Sequence, residues 1–217
     1  MHIEVLVEDS SGSKLVEALM PDIIGPKGEP HTWRIHPYKG IGRIPRGLAT
    51  QADPAKRILL DQLPRVLGGY GKTPDIDAVI VLLDNDRRDC TKFLAELYNL
   101  LRQCHPAPTT LFRLAIEEME AWFLGDRQAL LAAYPRAKKE VLARYQQDSI
   151  CGTWELLADA VYPGGQAEIH KVGWPLPGHI KHEWAEKIGP HMDVEANESR
   201  SFCKFRDGVR RLAASMD

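Results

Sequence analysis

The chain has 217 residues, of which 44% are hydrophobic and 27% charged, and its formal net charge is −2. This length fits one domain with a sizeable core, and the near-neutral charge excludes a uniformly basic nucleic-acid-binding protein, so only a local basic patch can serve that role. The four cysteines form no CxxC pair, which excludes a zinc ribbon. No apolar run is long enough to span a membrane and no signal-type segment precedes the first predicted strand, so we expect a cytoplasmic protein.

The first 126 residues alternate between short β-rich runs and segments with helical periodicity. The run DAVIVLL at 77–83 is apolar almost throughout, which is typical of a strand covered on both faces. The segment 55–67 has helical periodicity, and Pro64 within it predicts a kink or a break. The other predicted strands are 3–7, 32–38 and 109–116, and the other predicted helices are 14–24, one around 93–101 and a short one around 119–123.

After residue 126 the sequence predicts only helices and loops. The final stretch, 201–216, carries an apolar stripe at helical spacing. We therefore predict an α/β fold, with a largely parallel sheet sandwiched by helices over residues 1–126 and an all-helical extension over 127–217 that packs on it as part of the same unit. The other helical segments are 132–145 and 153–163, whereas 164–182, rich in Gly, Pro and His, is predicted to be a loop.

Acidic residues follow three of the predicted strands at their carboxyl ends. They are Glu8 after the first strand, Asp84 and Asp86 after the buried strand, and Glu117 and Glu120 after the last. In a parallel sheet these ends meet at one edge, and carboxylates brought together there repel one another unless a cation neutralises them. Mg²⁺ or Mn²⁺ prefers such hard oxygen ligands. Because Asp84 and Asp86 point the same way in an extended segment, we predict that both face one ion with Glu8.

Structural roles are open to the neighbouring acids. Asp89 is most simply the N-cap of the helix that follows it, and Asp9 can cap the first helix. Glu118 is favourable as a solvated residue in the first turn of a helix, near the positive end of the helix dipole. A D-x-D pair at a strand end is weak evidence by itself, so the predicted metal site depends on taking the acids as a set.

The arrangement resembles the Toprim fold of topoisomerases, primases and the overcoming-lysogenization-defect nucleases. Glu8 matches the Glu that follows the first Toprim strand, and Asp84 and Asp86 match the later D-x-D. Asp9 stands where many Toprim members have Gly. The sequence looks still more like a family of uncharacterised bacterial proteins with a Toprim-like core, often encoded beside an AAA-type ATPase. The matching stretches are VEDSSGSKLVEALMP, VLLDNDRRDC, RLAIEEMEAWFLGD and IGPHMDVEANESRSFCKFRDGVRRL.

This resemblance implies a divalent-metal-dependent enzyme that hydrolyses phosphodiester bonds in DNA or RNA, in defence against phage or plasmids and with an AAA-type ATPase as partner. Glu8 would bind the metal or act as a general acid or base, and Asp84 and Asp86 would hold Mg²⁺ or Mn²⁺. In this interpretation Glu117 is the ligand of a second ion, and Glu120 lies nearby.

Other classes of protein share parts of this pattern. A receiver domain also carries acids after its strands but needs a Ser or Thr where Glu117 and Glu118 stand. Phosphatases of the haloacid-dehalogenase type use D-x-D on the first strand, far from Asp84 in the chain. The serious alternative is a non-catalytic or regulatory subunit of an AAA-type ATPase with a degenerate metal site. The slightly negative net charge and the lack of a long basic run keep it open.

Basic residues near the predicted site suit a polyanionic substrate, because phosphates must be neutralised as they approach carboxylates. Most lie in the Gly-rich segment RIHPYKGIGRIPRG or directly after the D-x-D. A solvated surface loop is the alternative interpretation of that segment. The predicted nucleic-acid-binding residues are Lys39, Arg43, Arg46, Arg87 and Lys187, the last approaching from the C-terminal helices.

Aromatic residues offer a weaker signal. Tyr38 lies beside this basic segment and can stack on a base. Trp174 and Trp184 are predicted to be packing residues, because tryptophan is more often buried than used as a platform. The histidines between 170 and 182 lack Cys or acid partners at zinc-ligand spacing, so they give little support to a zinc site.

Overall fold

Residues 1–45 and 53–215 are described by the computed structural model. Their strands form one sheet in the order β2-β1-β3-β4, and every neighbouring pair is parallel. The crossover connections contain helices, as parallel neighbours require. The strands are β1 (His2–Val7), β2 (Thr32–Pro37), β3 (Ala78–Asp84) and β4 (Thr110–Ala115).

Helices account for most of the remaining described residues. Two short 3₁₀ turns, Pro54–Lys56 and Gly189–His191, accompany them. The α-helices are α1 (Ser10–Ile24), α2 (Leu59–Tyr70), α3 (Cys90–Arg102), α4 (Glu120–Gly125), α5 (Arg127–Ala133), α6 (Lys139–Leu142), α7 (Thr153–Val161), α8 (Gly165–Val172), α9 (Leu176–Ile188) and α10 (Arg200–Ala214). In the described ranges, none of these helices is long and apolar enough to cross a lipid bilayer.

The sheet is covered on both faces. Successive strand residues point to opposite sides, so Val5 and Leu82 join a core with α1 and the C-terminal helices. Leu6 and Val81 join a second core with α2 and α3. Their full burial explains why the central strands are apolar throughout. The predicted α/β sandwich with a parallel sheet is confirmed.

The helical C-terminal part packs on the first face of the sheet. Helix α9 lies along α1, and α10 lies along β4. Phe202 and Phe205 of α10 are fully buried, and their ring centroids lie 5.3 and 5.1 Å from that of Trp122. The apolar stripe predicted for the final helix is therefore confirmed, and its side chains share a core with β1 and α1.

Three local predictions in the helical segments are wrong. The segment 164–182 is not a loop, because it forms α8 and the first half of α9. Gly164 and Gly173 stand at the two ends of α8 and do not prevent the helix from forming. The predicted helix at 132–145 is interrupted near Pro135, which leaves only the short helices α5 and α6. The break that Pro64 was predicted to allow does not occur, because helix α2 continues through it and the burial of the helix's apolar face outweighs the missing backbone donor. The alternative of a kink at Pro64 stays a prediction.

The turns that lead into α1 and α3 are fixed by acidic caps, as the sequence predicted. Asp9 Oδ1 accepts a hydrogen bond of 2.8 Å from the Gly12 amide, and Asp89 Oδ1 accepts one of 3.0 Å from the Lys92 amide. Both caps lie in the connections that follow β1 and β3. They start the two helices beside the edge of the sheet at which the other acids gather.

Candidate metal centre

Three carboxylates meet beyond the carboxyl ends of the parallel strands. Glu8 follows β1, Asp84 is the last residue of β3, and Glu120 begins α4 after β4. The three line one small cavity with Met119 and Lys181. The parallel topology produces this meeting, because it brings all strand ends to one edge. The prediction that Glu8 and Asp84 converge holds in the structure, and Glu120 lies beside them in the same cavity, as was also predicted.

The Glu8 side chain is held in a site that disfavours its charge. Burial, helped by the nearby carboxylates of Asp9 and Asp86, raises its pKa to about 7. Its Oε2 atom is buried and has no hydrogen-bond partner among the described residues. A buried carboxylate oxygen without a donor is costly, and a cation would relieve that cost.

Asp84 faces the same cavity from the end of β3. Burial raises its pKa well above the ordinary value, and the charge of Glu8 raises it further. One oxygen is already used, since Oδ1 accepts a hydrogen bond of 3.0 Å from the Met119 amide. This bond fixes the direction of the side chain. Glu8 and Asp84 therefore form a pair of carboxylates that cannot both be ionised without a nearby positive charge.

Lys181 of α9 supplies such a charge within the protein. Its Nζ atom lies 2.9 Å from Glu118 Oε2 and 3.3 Å from Glu120 Oε2. Burial by itself would lower the pKa of Lys181, but Glu120, Glu118 and Asp84 outweigh it and raise the pKa. Burial raises the pKa of Glu120 to about 7, although Lys181 acts against that shift. The ammonium group thus neutralises one side of the acid cluster.

Asp86 does not stand in the predicted geometry. The extended conformation ends at Asp84, and Asp86 adopts a left-handed backbone with φ 49°. Its amide donates a 2.8 Å hydrogen bond to the Glu117 carbonyl, which forms an isolated antiparallel bridge. Its carboxylate is 54% exposed and lies 3.5 Å from Arg88. The prediction that Asp84 and Asp86 point the same way is therefore wrong, although Asp86 remains near enough to raise the pKa of Glu8.

Glu117 has a structural task that the sequence did not reveal. Its carboxylate is buried and accepts hydrogen bonds of 2.9–3.0 Å from the amides of Cys151, Gly152 and Thr153. These amides precede and begin α7, so Glu117 caps that helix from a distant part of the chain. These bonds give Glu117 a capping role, and its predicted role as a catalytic residue or ligand of a second ion stays a prediction.

One predicted cation stands beside the acids. Lys39 is exposed and lines a cavity of about 660 Å³ with Glu8. Arg57, which the sequence interpretation missed, lines the same cavity. Arg43 is exposed in the segment that follows β2, where its backbone amide donates a hydrogen bond to Asp61. Arg46, also predicted to bind nucleic acid, lies outside the described residues.

The other two predicted cations are less well placed. Arg87 is exposed just beyond β3 and is not among the described residues that line the small cavity of Glu8, Asp84 and Glu120. Lys187 lies on α9 with its Nζ atom 2.5 Å from Glu183 and over the ring of Tyr134, so it is engaged elsewhere. The cation of α9 that reaches the acid cluster is Lys181 instead. No sequence signal identified it, because it lies within the segment that was predicted to be a loop.

The donor set fits a hard divalent cation. Glu8 and Asp84 offer carboxylate oxygens, and the unpartnered Glu8 Oε2 is a site that a cation would satisfy. Among residues 1–45 and 53–215, no group of three or more His, Cys, Asp or Glu side chains is arranged so that all of them could hold one metal ion. Mg²⁺ does not need such a group, since it is commonly held by one or two carboxylates and completes its shell with water and substrate phosphates.

Fold and site together define an α/β protein with a carboxylate cluster at the carboxyl edge of a parallel sheet. The chain belongs to the family described as Domain of unknown function (DUF4276), which it matches over residues 7–212. This match includes the whole acid cluster and Lys181. The chain matches no curated protein and no solved structure.

Proposed function

We propose that this protein hydrolyses phosphodiester bonds in nucleic acid with the help of Mg²⁺ or Mn²⁺. The observation that carries the proposal is the pair of carboxylates, Glu8 and Asp84, whose pKa values are both raised in a shared cavity. Groups with strongly perturbed pKa values in a cleft are typical of functional sites. The sequence also resembles the Toprim fold, which occurs in nucleases, and this resemblance supports the proposal.

In this proposal Asp84 holds the ion. When bound, a divalent cation supplies charge neutralisation for the phosphate and makes a water molecule more acidic. Glu8 has two alternative roles here: it would hold the ion together with Asp84, or, if Asp84 holds the ion without it, accept the proton of the attacking water at a carboxylate oxygen, for which a pKa near neutrality is well suited. Lys181 keeps Glu118 and Glu120 neutralised beside them, so the remaining acids repel the substrate less.

Binding of the substrate falls to cations outside the acid cluster. Lys39 and Arg57 border the larger cavity that also contains Glu8. An extended polyanion can therefore contact positive charge on one side of the carboxylates while one phosphate faces them. We further propose that, in the cell, the protein acts in defence against phage or plasmids with an AAA-type ATPase as its partner.

One observation favours a second candidate function, that of a non-catalytic subunit of such an ATPase. The ammonium of Lys181 already neutralises part of the acid cluster without any metal. A degenerate site that has exchanged its ion for an internal lysine would have this appearance. In that case the fold would serve only to present a surface to the ATPase.

Cleavage of plasmid, single-stranded DNA and RNA separates the two functions. We expect cleavage with Mg²⁺ or Mn²⁺ by the wild type and none by Glu8→Gln, which removes the charge but keeps the shape of the side chain. Glu168→Gln, which alters a surface ion pair with Lys171, is the matched control and should cleave normally. If no cleavage occurs with either metal, alone or with the ATPase, the subunit function replaces the nuclease.

A further inference from the structure

Trp174 is unusually exposed for a tryptophan. It lies in the short connection between α8 and α9, and 84% of its surface is accessible. Trp33, Trp122 and Trp184, in contrast, are at most 2% exposed. The prediction that Trp174 is a packing residue is therefore wrong, whereas the same prediction for Trp184 is confirmed. A large aromatic surface kept in water contributes little to stability, so its surroundings decide whether it serves a ligand.

The position of Trp174 connects this surface with the acid cluster. It borders the cavity of about 660 Å³ that contains Glu8, Lys39 and Arg57. It also borders a second cavity of about 590 Å³, which reaches Lys181. The edge of the indole ring lies against Gly178, where an added Cβ atom would come within 3.2 Å of it. Glycine at that position lets the ring rest on the backbone of α9.

The surroundings of the ring indicate which ligand would use it. Among the described residues, neither Lys39 nor Arg57 has a carboxylate within ion-pair distance, so neither charge is neutralised there. One guanidinium nitrogen of Arg57 donates to the Pro37 carbonyl, which holds the side chain at the cavity and leaves its other nitrogens to meet an anion.

The rest of the wall near Trp174 combines prolines, such as Pro175 and Pro177, with the polar side chains of Ser10 and His179. Two cations without a carboxylate partner beside one exposed ring suit an anionic ligand better than the apolar surface of a protein partner. A nucleotide offers instead one flat ring and a phosphate.

We propose that Trp174 is a stacking platform for one unpaired base of a nucleic-acid strand whose phosphates pass Lys39 and Arg57 toward Glu8. This proposal rests on the proposed function in taking nucleic acid as the substrate, and it narrows the substrate to single-stranded or locally unpaired nucleic acid. Bases within a duplex are already stacked on their neighbours and offer no free face. Stacking tolerates any base, because every base has an aromatic face.

Binding measured without divalent metal tests the platform apart from catalysis. A 5′-fluorescein-labelled 12-mer of thymidine is titrated with protein in EDTA and followed by anisotropy, beside a hairpin duplex with the same label. Loss of one base–aromatic stack weakens binding by about 5- to 150-fold. We expect a loss in that range for Trp174→Ala on the single strand, little loss for Trp174→Phe, and no change in duplex binding.

The neighbouring exposed Val172 provides the matched control, because it is 63% exposed in the same region. Val172→Ala should bind the single strand as the wild type does. Equal binding by Trp174→Ala and wild type would overturn the platform, as would an equal loss for strand and duplex. If Val172→Ala and Trp174→Ala weaken binding alike, the surface is a general apolar contact, such as one for a protein, and the platform is rejected.

Cleavage distinguishes failure of the platform from failure of the proposed function. Binding that depends on Trp174 but is never followed by cleavage with Mg²⁺ or Mn²⁺ refutes the nuclease and leaves the platform in place. Cleavage that requires Glu8 but proceeds from a complex unaffected by Trp174→Ala refutes the platform alone.

Discussion

Replacing Glu117 tests whether this acid is a structural cap or a metal ligand. In Glu117→Ala the amides of Cys151, Gly152 and Thr153 lose their common acceptor. Cys151 is exposed, so water can replace its bond, but Thr153 is buried and Gly152 is half-buried. A hydrogen bond to a charged group is worth about 1.5–3 kcal/mol. Two such bonds give an expected loss of about 3 kcal/mol or more in the free energy of unfolding.

The loss is measured by urea denaturation followed by circular dichroism, with thermal denaturation beside it. For a chain of this size about 3 kcal/mol lowers Tm by roughly 6–12 °C. Glu117→Gln keeps one acceptor oxygen and should lose less. The matched control is Glu168→Ala on the surface of α8, where the expected change is under about 1 kcal/mol. Mn²⁺ binding should be unchanged in Glu117→Ala. An alanine variant as stable as the control, but with Mn²⁺ binding lost, would refute the capping role.

Two further predictions concern the acid cluster. Glu8 and Glu120 have folded pKa values of about 7 against ordinary values of 4.5, so the stability they contribute is fully present below pH 4.5 and is lost as pH rises through 7. Urea midpoints measured between pH 5 and 8 should therefore decline less steeply in Glu8→Gln, and an unchanged slope would contradict the assignment. Lys181→Met leaves Glu118 and Glu120 without their counter-ion and should destabilise the protein by about 3–5 kcal/mol. The surface variant Lys171→Met should lower the free energy of unfolding by under about 1 kcal/mol. Equal losses in the two variants would show that the ion pairs of Lys181 stabilise the protein no more than the surface pair of Lys171 does.

The sequence was sufficient to predict the sheet and the two central acids. Periodicity identified the four strands, and the topology of a parallel sheet then required Glu8 and Asp84 to meet at one edge. The first step depends only on neighbouring residues in the chain, and the second depends on a general rule of sheet geometry. The caps at Asp9 and Asp89 were predictable for the same reason, since an N-cap is set by the helix that follows it.

The remainder of the site depends on contacts between distant segments. Glu117 and Asp86 both adopt left-handed backbone conformations, with φ of 58° and 49°. These conformations direct Glu117 toward residues 151–153 and Asp86 toward solvent. Residues other than glycine adopt them so rarely that the sequence did not predict either one. Lys181 reaches the acids only because α9 packs along α1. Sequence periodicity could not place Lys181 beside the acids, because it predicted a loop for residues 164–182.

Calorimetric titration of Mn²⁺ at pH 7 tests most directly whether Glu8 and Asp84 form a metal centre. We expect the wild type to bind Mn²⁺ and to release protons as it does so, because both acids have raised pKa values that the ion must lower. The measured heat should therefore change with the ionisation enthalpy of the buffer. Asp84→Asn keeps the acceptor for the Met119 amide but loses the charge, and it should show neither binding nor proton release. Equal binding by the two proteins, or no binding by the wild type, would contradict the metal centre.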